Sequence, residues 1–142
     1  MILKQTKDVN TIKEVLFHPA IYPNIVEGEE LTEEIIEKVV ETEGQHFLEV
    51  EGREGTLGVF YIHKVDDKTY YGHINMLPEY RGSIALAALT RAEEWLRYNT
   101  RCDIVLTDVP KKFNNVYKFL FNAQYELFDE DDNMGHFFKE IR

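Results

Sequence analysis

The stretch INMLPEYRGSIAL, residues 74–86, joins an apolar, strand-like run to the start of a helix. Pro78 removes a backbone donor, which helps to end strand pairing there. Gly82 permits backbone conformations that other residues avoid, and from about Ser83 the chain reads as helix. Because the first amides of a helix lack internal partners and carry partial positive charge, an anion can dock there. The corner therefore either binds a phosphate, with Arg81 as a charged donor, or only turns the chain while Arg81 forms a salt bridge.

Apolar periodicity on both sides of this corner predicts the remaining elements. The expected helices are 9–17, 31–42, 83–98 and 112–123. The expected strands are 2–6, 46–52, 56–64, 69–77, 103–108, 124–128 and 135–141. The resulting order, β-α-α-β-β-β-α-β-α-β-β, predicts a mixed α/β (α+β) sheet with helices packed on its faces.

Local signals refine these predictions. Asp8 is a plausible N-cap of the first helix, and Asp66-Asp67 predicts the turn of a hairpin. His18-Pro19 and Tyr22-Pro23 should break the first helix and force extended backbone. Two helices should each bury an apolar face. The residues expected on these faces are Leu31, Ile35, Ile36, Val39 and Val40 in the second helix, and Phe113, Val116, Tyr117, Leu120 and Phe121 in the last.

Composition narrows the class of protein. A length of 142 residues favours one domain, 1–142, and a net charge of −10 opposes binding to nucleic acid or to an anionic membrane. No run of about 18 apolar residues is present, and the first ten residues lack the apolar centre of a signal peptide. The single cysteine, Cys102, is compatible with the cytoplasm and reads as a packing residue. The five histidines lack metal-ligand spacing, so we expect no metal site.

The element order and the motif LPEYRG, residues 77–82, resemble the GNAT superfamily of acyl-coenzyme A-dependent N-acyltransferases. This resemblance implies acetyl-coenzyme A as cofactor and a small-molecule or protein amine as acceptor. In that family, loop amides hold the pyrophosphate and the preceding strand pairs with the pantetheine arm. The implied cofactor-binding residues are Met76, Leu77, Arg81, Gly82, Ser83, Ile84, Ala85 and Asn114.

The chain departs from the family's loop pattern, Arg/Gln-x-x-Gly-x-Gly/Ala. Counted from Arg81, the first Gly falls on Ile84 and the second small residue on Leu86. A Cβ at either place crowds the approach of a diphosphate to backbone amides. Two hypotheses therefore stay open: an N-acetyltransferase, or a catalytically silent GNAT-like protein that binds a ligand or belongs to a virion.

The resemblance also implies site residues outside the loop. We expect His73 to be the general base, since an imidazole titrates near neutral pH and this strand leads into the loop. His63, on the neighbouring strand, either pairs with His73 or faces solvent. Tyr117 is the candidate acid for the leaving thiolate, although the family's tyrosine falls on Leu120 when counted back from Gln124-Tyr125. The candidate acceptor contacts are Tyr22, Asn24 and Glu27.

Three local stretches further resemble small GNAT-like proteins of bacteriophages. They are FHPAIYPNI at 17–25, HINMLPEYRG at 73–82 and TDVPKKFNN at 107–115. This narrower resemblance implies a host-cell cytoplasm, or a virion, as the place of action. Edge strands near the C-terminus leave a homodimer open.

Overall fold

The computed structural model describes residues 1–25 and 30–142, and it is built on one seven-stranded mixed sheet in the order β1-β2-β3-β4-β5-β7-β6. The strands are β1 Ile2–Thr6, β2 Gln45–Gly52, β3 Gly55–Asp66, β4 Thr69–Met76, β5 Ile104–Pro110, β6 Glu126–Glu130 and β7 Met134–Glu140. The helices are α1 Val9–Leu16, α2 Tyr22–Ile25, α3 Glu33–Val40, α4 Ser83–Asn99 and α5 Asn114–Asn122, and a 3₁₀ turn spans Pro78–Tyr80. The β4–β5 pair is parallel and the other neighbouring strands run antiparallel. The predicted mixed α/β fold class is confirmed.

Two predicted local signals are also confirmed. Asp8 caps α1, because its Oδ1 accepts hydrogen bonds from the amides of Asn10 at 3.0 Å and Thr11 at 3.4 Å. Asp66 ends β3, and its Oδ1 accepts a hydrogen bond from the amide of Lys68 at 2.9 Å within the hairpin turn. These short polar side chains satisfy backbone donors that neither helix nor sheet would satisfy.

The sheet carries a core on each face. Phe47 and Leu48 are neighbours on β2, yet they belong to different clusters of buried residues. Since successive strand residues point to opposite faces, the two clusters lie on opposite sides of the sheet. One contains the buried residues of α4 and α5, and the other those of α1 and α3. Helices therefore cover both faces of the sheet.

Three residues predicted to be buried are exposed: Ile35 at 41%, Val116 at 38% and Phe121 at 48%. Ile35 precedes the buried Ile36, and Phe121 follows the buried Leu120. Residues adjacent in a helix lie about 100° apart around its axis, and in each of these two pairs one member lies outside the buried stripe. The buried stripe is thus narrower than the apolar pattern predicted.

The predicted end of the first helix at His18-Pro19 is confirmed, since α1 ends at Leu16, but the extended backbone expected at Tyr22-Pro23 is wrong. The amides of Ile21 and Tyr22 both donate to the carbonyl of His18 at 2.9 Å, which makes a turn that leads into α2. Pro23 occupies the second position of α2. An amide in the first turn of a helix has no internal partner, so a proline there breaks no helical hydrogen bond.

Candidate active site

The central feature is a split between β4 and β5. Their parallel pairing joins Thr69–Tyr71 to Ile104–Leu106. Beyond that, β4 stays paired with β3 as far as Met76, and β5 stays paired with β7 as far as Pro110. The carboxyl halves of β4 and β5 therefore diverge in the middle of the sheet. A diverging strand edge offers its backbone donors and acceptors to an extended ligand.

The first turn of α4 follows the end of β4 and adds an anion-binding element. Gly82 is the N-cap with φ +82° and ψ −129°, and no side chain caps this helix end. A Cβ built on Gly82 has no atom within 4 Å, and Ser83 is exposed. Because α4 is 17 residues long, its uncapped amides present the positive end of a full helix dipole. This helix end therefore has the features that anion binding, one of the two alternatives for this corner, requires.

Arg81 stabilises the corner in a way that neither sequence hypothesis anticipated. Its Nε donates to the carbonyl oxygen of Met76 at 3.2 Å, across the 3₁₀ turn. Met76 is itself buried, and the side chain of Leu77 packs against the cluster of α1 and α3. Met76 and Leu77 would thus meet a cofactor only through their backbone.

The side chains that replace the family's glycines point in different directions. Leu86 packs against the core cluster of α4 and α5, and Ala85 is buried. Ile84 is 39% exposed in the first turn of α4. Of the two departures from the loop pattern, Ile84 is therefore the one that stays at the surface of the anion-binding turn.

His73 belongs to an array of four rings on β3 and β4. Tyr61 lies opposite His73, and His63 lies opposite Tyr71, in the antiparallel register. The rings of His63 and His73 stack with centroids 5.6 Å apart and planes 10° apart. Of the two readings of His63, the pairing with His73 is thus the one confirmed.

The array keeps His73 neutral near pH 7. Burial lowers the pKa of His73 below its ordinary 6.5, the neighbouring His63 lowers it further, and Asp108 partly opposes both. Burial also lowers the pKa of His63. A neutral imidazole can accept a proton, so His73 meets the chemical requirement for a general base.

Two residues that the sequence did not single out, Asp108 and His136, complete this side of the split. Asp108 lies on β5 beyond the last β4–β5 pair, and its Oδ1 is 2.7 Å from His136 Nδ1. The other imidazole nitrogen is 3.2 Å from Asp131 Oδ2. Hydrogen bonds to Asp108 and Asp131 raise the pKa of His136 above 6.5. The alternation of side chains along TDVP, residues 107–110, does not by itself show that Asp108 shares a face with His73. The β4–β5 pairing is needed to show it.

The contacts of Tyr117 are with β7. Its ring meets that of Phe137 edge-on at 4.9 Å, and its hydroxyl lies against Gly135. That hydroxyl is buried without a hydrogen-bond partner among the described residues, and burial raises its pKa. Leu120, where the family's tyrosine falls, lines a cavity of about 30 Å³ together with His73. The catalytic role of Tyr117 stays a prediction.

The remaining candidates are Asn114, Tyr22, Asn24 and Glu27. Asn114 is the exposed first residue of α5. The hydroxyl of Tyr22 donates to the carbonyl of Leu31 at 3.3 Å, and the Asn24 amide nitrogen donates to Ala20 O at 3.4 Å. Both acceptor candidates thus have internal partners, while Glu27 lies outside the described residues.

Neither a metal site nor a membrane-spanning helix is found in the part of the chain that the structure describes. Across residues 1–25 and 30–142, no group of three or more His, Cys, Asp or Glu side chains is arranged to hold a metal ion. None of the helices in these ranges has the length and apolar character needed to cross a membrane.

Known proteins share this architecture at low sequence identity. No protein-family model and no curated protein matches the sequence. Among solved structures, Campylobacter jejuni N-acetyltransferase PseH in complex with acetyl coenzyme A has a TM-score of 0.75 and 12% identity, covering 98% of this chain and 99% of that one. The F149A mutant of spermidine N-acetyltransferase SpeG from Vibrio cholerae has a TM-score of 0.79 and 11% identity, covering 99% and 95%. The chain therefore has the fold of the GNAT N-acetyltransferases.

Proposed function

We propose that the protein is an N-acetyltransferase that moves an acetyl group from acetyl-coenzyme A to an amine of a small molecule or a protein. The observation that carries this proposal is the split between β4 and β5, with an uncapped helix N-terminus at the end of β4 and the neutral His73 beside the split. A strand edge, an anion site and a base are the elements that binding an acyl-coenzyme A and activating an amine require.

The residues present fit acetyl-coenzyme A. The backbone of Met76 and Leu77 would contact the pantetheine arm, and the amides of residues 82–85 would hold the diphosphate. Arg81 and Asn114 are proposed as further contacts of the cofactor. The open space at Gly82 is what such close backbone approach needs. When bound, the cofactor supplies the acetyl group as an activated thioester.

On this proposal His73 accepts the proton that the amine must lose before it attacks. Tyr117 is proposed as the proton donor to the departing thiolate, and Tyr22, Asn24 and Glu27 as acceptor contacts. Support for an amine acceptor comes from the spermidine N-acetyltransferase among the structural neighbours. The phage resemblance would place the reaction in a host-cell cytoplasm.

A second candidate is a protein that binds coenzyme A or another ligand without turnover. Two observations favour it. Ile84 stands at the surface of the first turn of α4, and Arg81 already uses its Nε on the carbonyl of Met76. Both features would weaken the binding of a diphosphate relative to its binding by a glycine-rich loop.

Titration with coenzyme A, by calorimetry and by thermal shift, tests whether the protein binds the cofactor that acetyl transfer requires. A ligand that binds only the folded state raises the melting temperature as its concentration rises. Arg81→Ala should weaken binding, because it removes a positive charge and loosens the corner. The absence of both heat and thermal shift at millimolar coenzyme A would refute the transferase and leave only a second candidate that binds another ligand.

Thiol release from acetyl-coenzyme A separates the two candidates. Release that depends on an added primary amine supports the transferase. Coenzyme A binding without release over a broad panel of amines supports the second candidate instead.

A further inference from the structure

We propose that Asp108 binds the amino group of the acceptor, and that it selects an amine that is an ammonium ion attached to an apolar chain or ring. This inference rests on the proposed acetyl transfer, because it places the acceptor at the same split. It gives the acceptor a chemical class that the proposed function alone does not.

The strand register places Asp108 opposite His73. Tyr71 and Leu106 are the last paired residues of β4 and β5. His73 and Asp108 each follow two residues later, so both side chains point to the same face, from the two diverging strands. The influence of Asp108 on the pKa of His73 is consistent with this proximity. A molecule entering the split from this face therefore passes between a carboxylate and a neutral imidazole.

The carboxylate of Asp108 is positioned by one hydrogen bond and still has free acceptor sites. His136 lies 2.7 Å from Oδ1, and the Asp108 side chain remains 31% exposed. The Tyr71 phenol also faces it, since burial first and then Asp108 raise the pKa of Tyr71. A carboxylate has acceptor sites on both oxygens, so a bound ammonium can share it with His136.

The charged groups around Asp108 favour the binding of a cationic ligand. From β4 come Tyr71 and His73, both neutral near pH 7, and from β7 comes His136, whose raised pKa favours the protonated form. Asp131 in the β6–β7 turn contributes a second carboxylate, whose pKa is lowered. The two carboxylates and one imidazolium sum to a net negative charge. Opposite charge in a partly buried site gives selectivity for a cationic ligand.

An apolar surface adjoins these charges. Phe128 on β6 is 55% exposed, and its ring lies 6.3 Å from that of His136 and 5.7 Å from that of Phe138. An exposed phenyl ring that packs on a half-buried one beside a charged site can cover the carbon skeleton of a ligand. The ammonium group is therefore expected to sit on an apolar chain or ring.

Asp108 also serves the proton transfer. The ammonium bound at Asp108 gives one proton to an unprotonated ring nitrogen of His73, which leaves a neutral amine and an imidazolium. The carboxylate then stabilises the imidazolium in place of the ammonium. No charge is created or lost in this step, because the proton only changes its carrier beside the same carboxylate.

Binding of simple probes tests this inference without turnover. NMR signals of the His73 and His136 rings are followed in the protein saturated with coenzyme A. The three probes are phenethylammonium, ethylammonium and 2-phenylethanol. Phenethylammonium should shift both rings saturably, whereas loss of either its charge or its ring should weaken binding by about tenfold.

Variants then assign the selectivity to Asp108. Asp108→Asn should weaken phenethylammonium binding by about tenfold or more and lower the pKa of His73 further, and Asp108→Glu should restore part of both. His136→Gln keeps the carboxylate and should retain binding. Asp103 precedes β5, has a similarly accessible carboxylate and pairs with Lys68 and Arg142. Asp103→Asn is therefore the matched control, and it should change neither phenethylammonium binding nor the pKa of His73.

The outcomes distinguish a failure of the role proposed for Asp108 from a failure of the proposed acetyl transfer. The inference is overturned if 2-phenylethanol binds as well as phenethylammonium, or if Asp108→Asn binds phenethylammonium as well as the wild type does. The proposed function is unaffected by either result as long as the protein binds coenzyme A. Wild-type protein that fails to bind coenzyme A overturns the proposed function itself.

Discussion

At the scale of single residues, His73 should control how the reaction rate depends on pH. Its pKa lies below 6.5, so its ring stays neutral until the pH falls below that value. The acid limb of kcat/KM should therefore lie below pH 6.5, and His73→Gln should reduce kcat by about 100-fold without changing coenzyme A affinity. His63→Gln is the control, because removing the ring that disfavours the His73 imidazolium should move the acid limb upward. An acid limb above 6.5 in the wild type would count against His73 as the base.

Gly82 is the other residue whose chemistry determines the site. At φ +82° and ψ −129° an L-residue is strained although nothing crowds its Cβ. Gly82→Ala should cost about 1–3 kcal/mol of unfolding free energy and weaken coenzyme A binding, measured by denaturant melts and calorimetry. Gly55→Ala is the matched control, since Gly55 also has a positive φ, +141°, with equally open space, and it begins β3 directly after the β2–β3 turn. That control should lose stability and keep coenzyme A affinity, and a parallel loss of affinity in both would contradict a role for the α4 corner.

At the scale of elements, the first turn of α4 allows a direct test of the departure from the family's loop. Ile84→Ala removes the exposed branched side chain and keeps a good helix former. Coenzyme A binding, measured by calorimetry, should stay the same or strengthen. Val116→Ala, which changes an equally exposed residue in the first turn of α5, should have no effect. A marked loss of affinity in Ile84→Ala would show that the isoleucine contacts the cofactor rather than obstructing it.

The link between β5 and the β6–β7 turn should make stability depend on pH. His136 joins Asp108 to Asp131, and these carboxylates raise its pKa above the 6.5 of the unfolded chain. The stabilisation is therefore fully present below pH 6.5 and is lost as the pH rises through the raised pKa. The difference in melting temperature between wild type and His136→Gln should accordingly be largest in acid and shrink towards alkaline pH. A difference that grows with pH would contradict this arrangement.

Local signals predicted the elements well, because they depend on neighbours in sequence. The Asp8 cap, the Asp66 turn and the helix after Gly82 each follow from residues within a few positions. The split between β4 and β5 depends instead on where a parallel pairing stops, and no residue in either strand encodes that endpoint by itself. The pairing of Asp108 with His136 was missed for the same reason, since the two residues are 28 positions apart and meet only when β5 lies beside β7.

At the scale of the whole molecule, the candidate site depends on both halves of the chain. His73 comes from the antiparallel strands β2–β4, while Asp108 comes from the group formed by β5, β7 and β6. The two groups join through only three pairs, Thr69–Tyr71 with Ile104–Leu106. The core cluster of α4 and α5 includes residues from both groups, so its packing also joins the two sides of the split.

Cys102 reports on whether this joined core opens as one unit. It is fully buried between α4 and β5, its thiol lies 3.3 Å from the carbonyl of Ile104, and burial raises its pKa to about 11. Reaction with a disulfide reagent at pH 8 should therefore require unfolding, and its rate should rise with denaturant as steeply as global unfolding does. Tyr98→Cys, at a position 86% exposed near the same helix end and placed in a Cys102→Ala background, is the control and should react at once. Rapid reaction of the wild-type thiol without denaturant would mean that the α4–β5 junction opens locally, and the two sides of the split would then not be held rigidly.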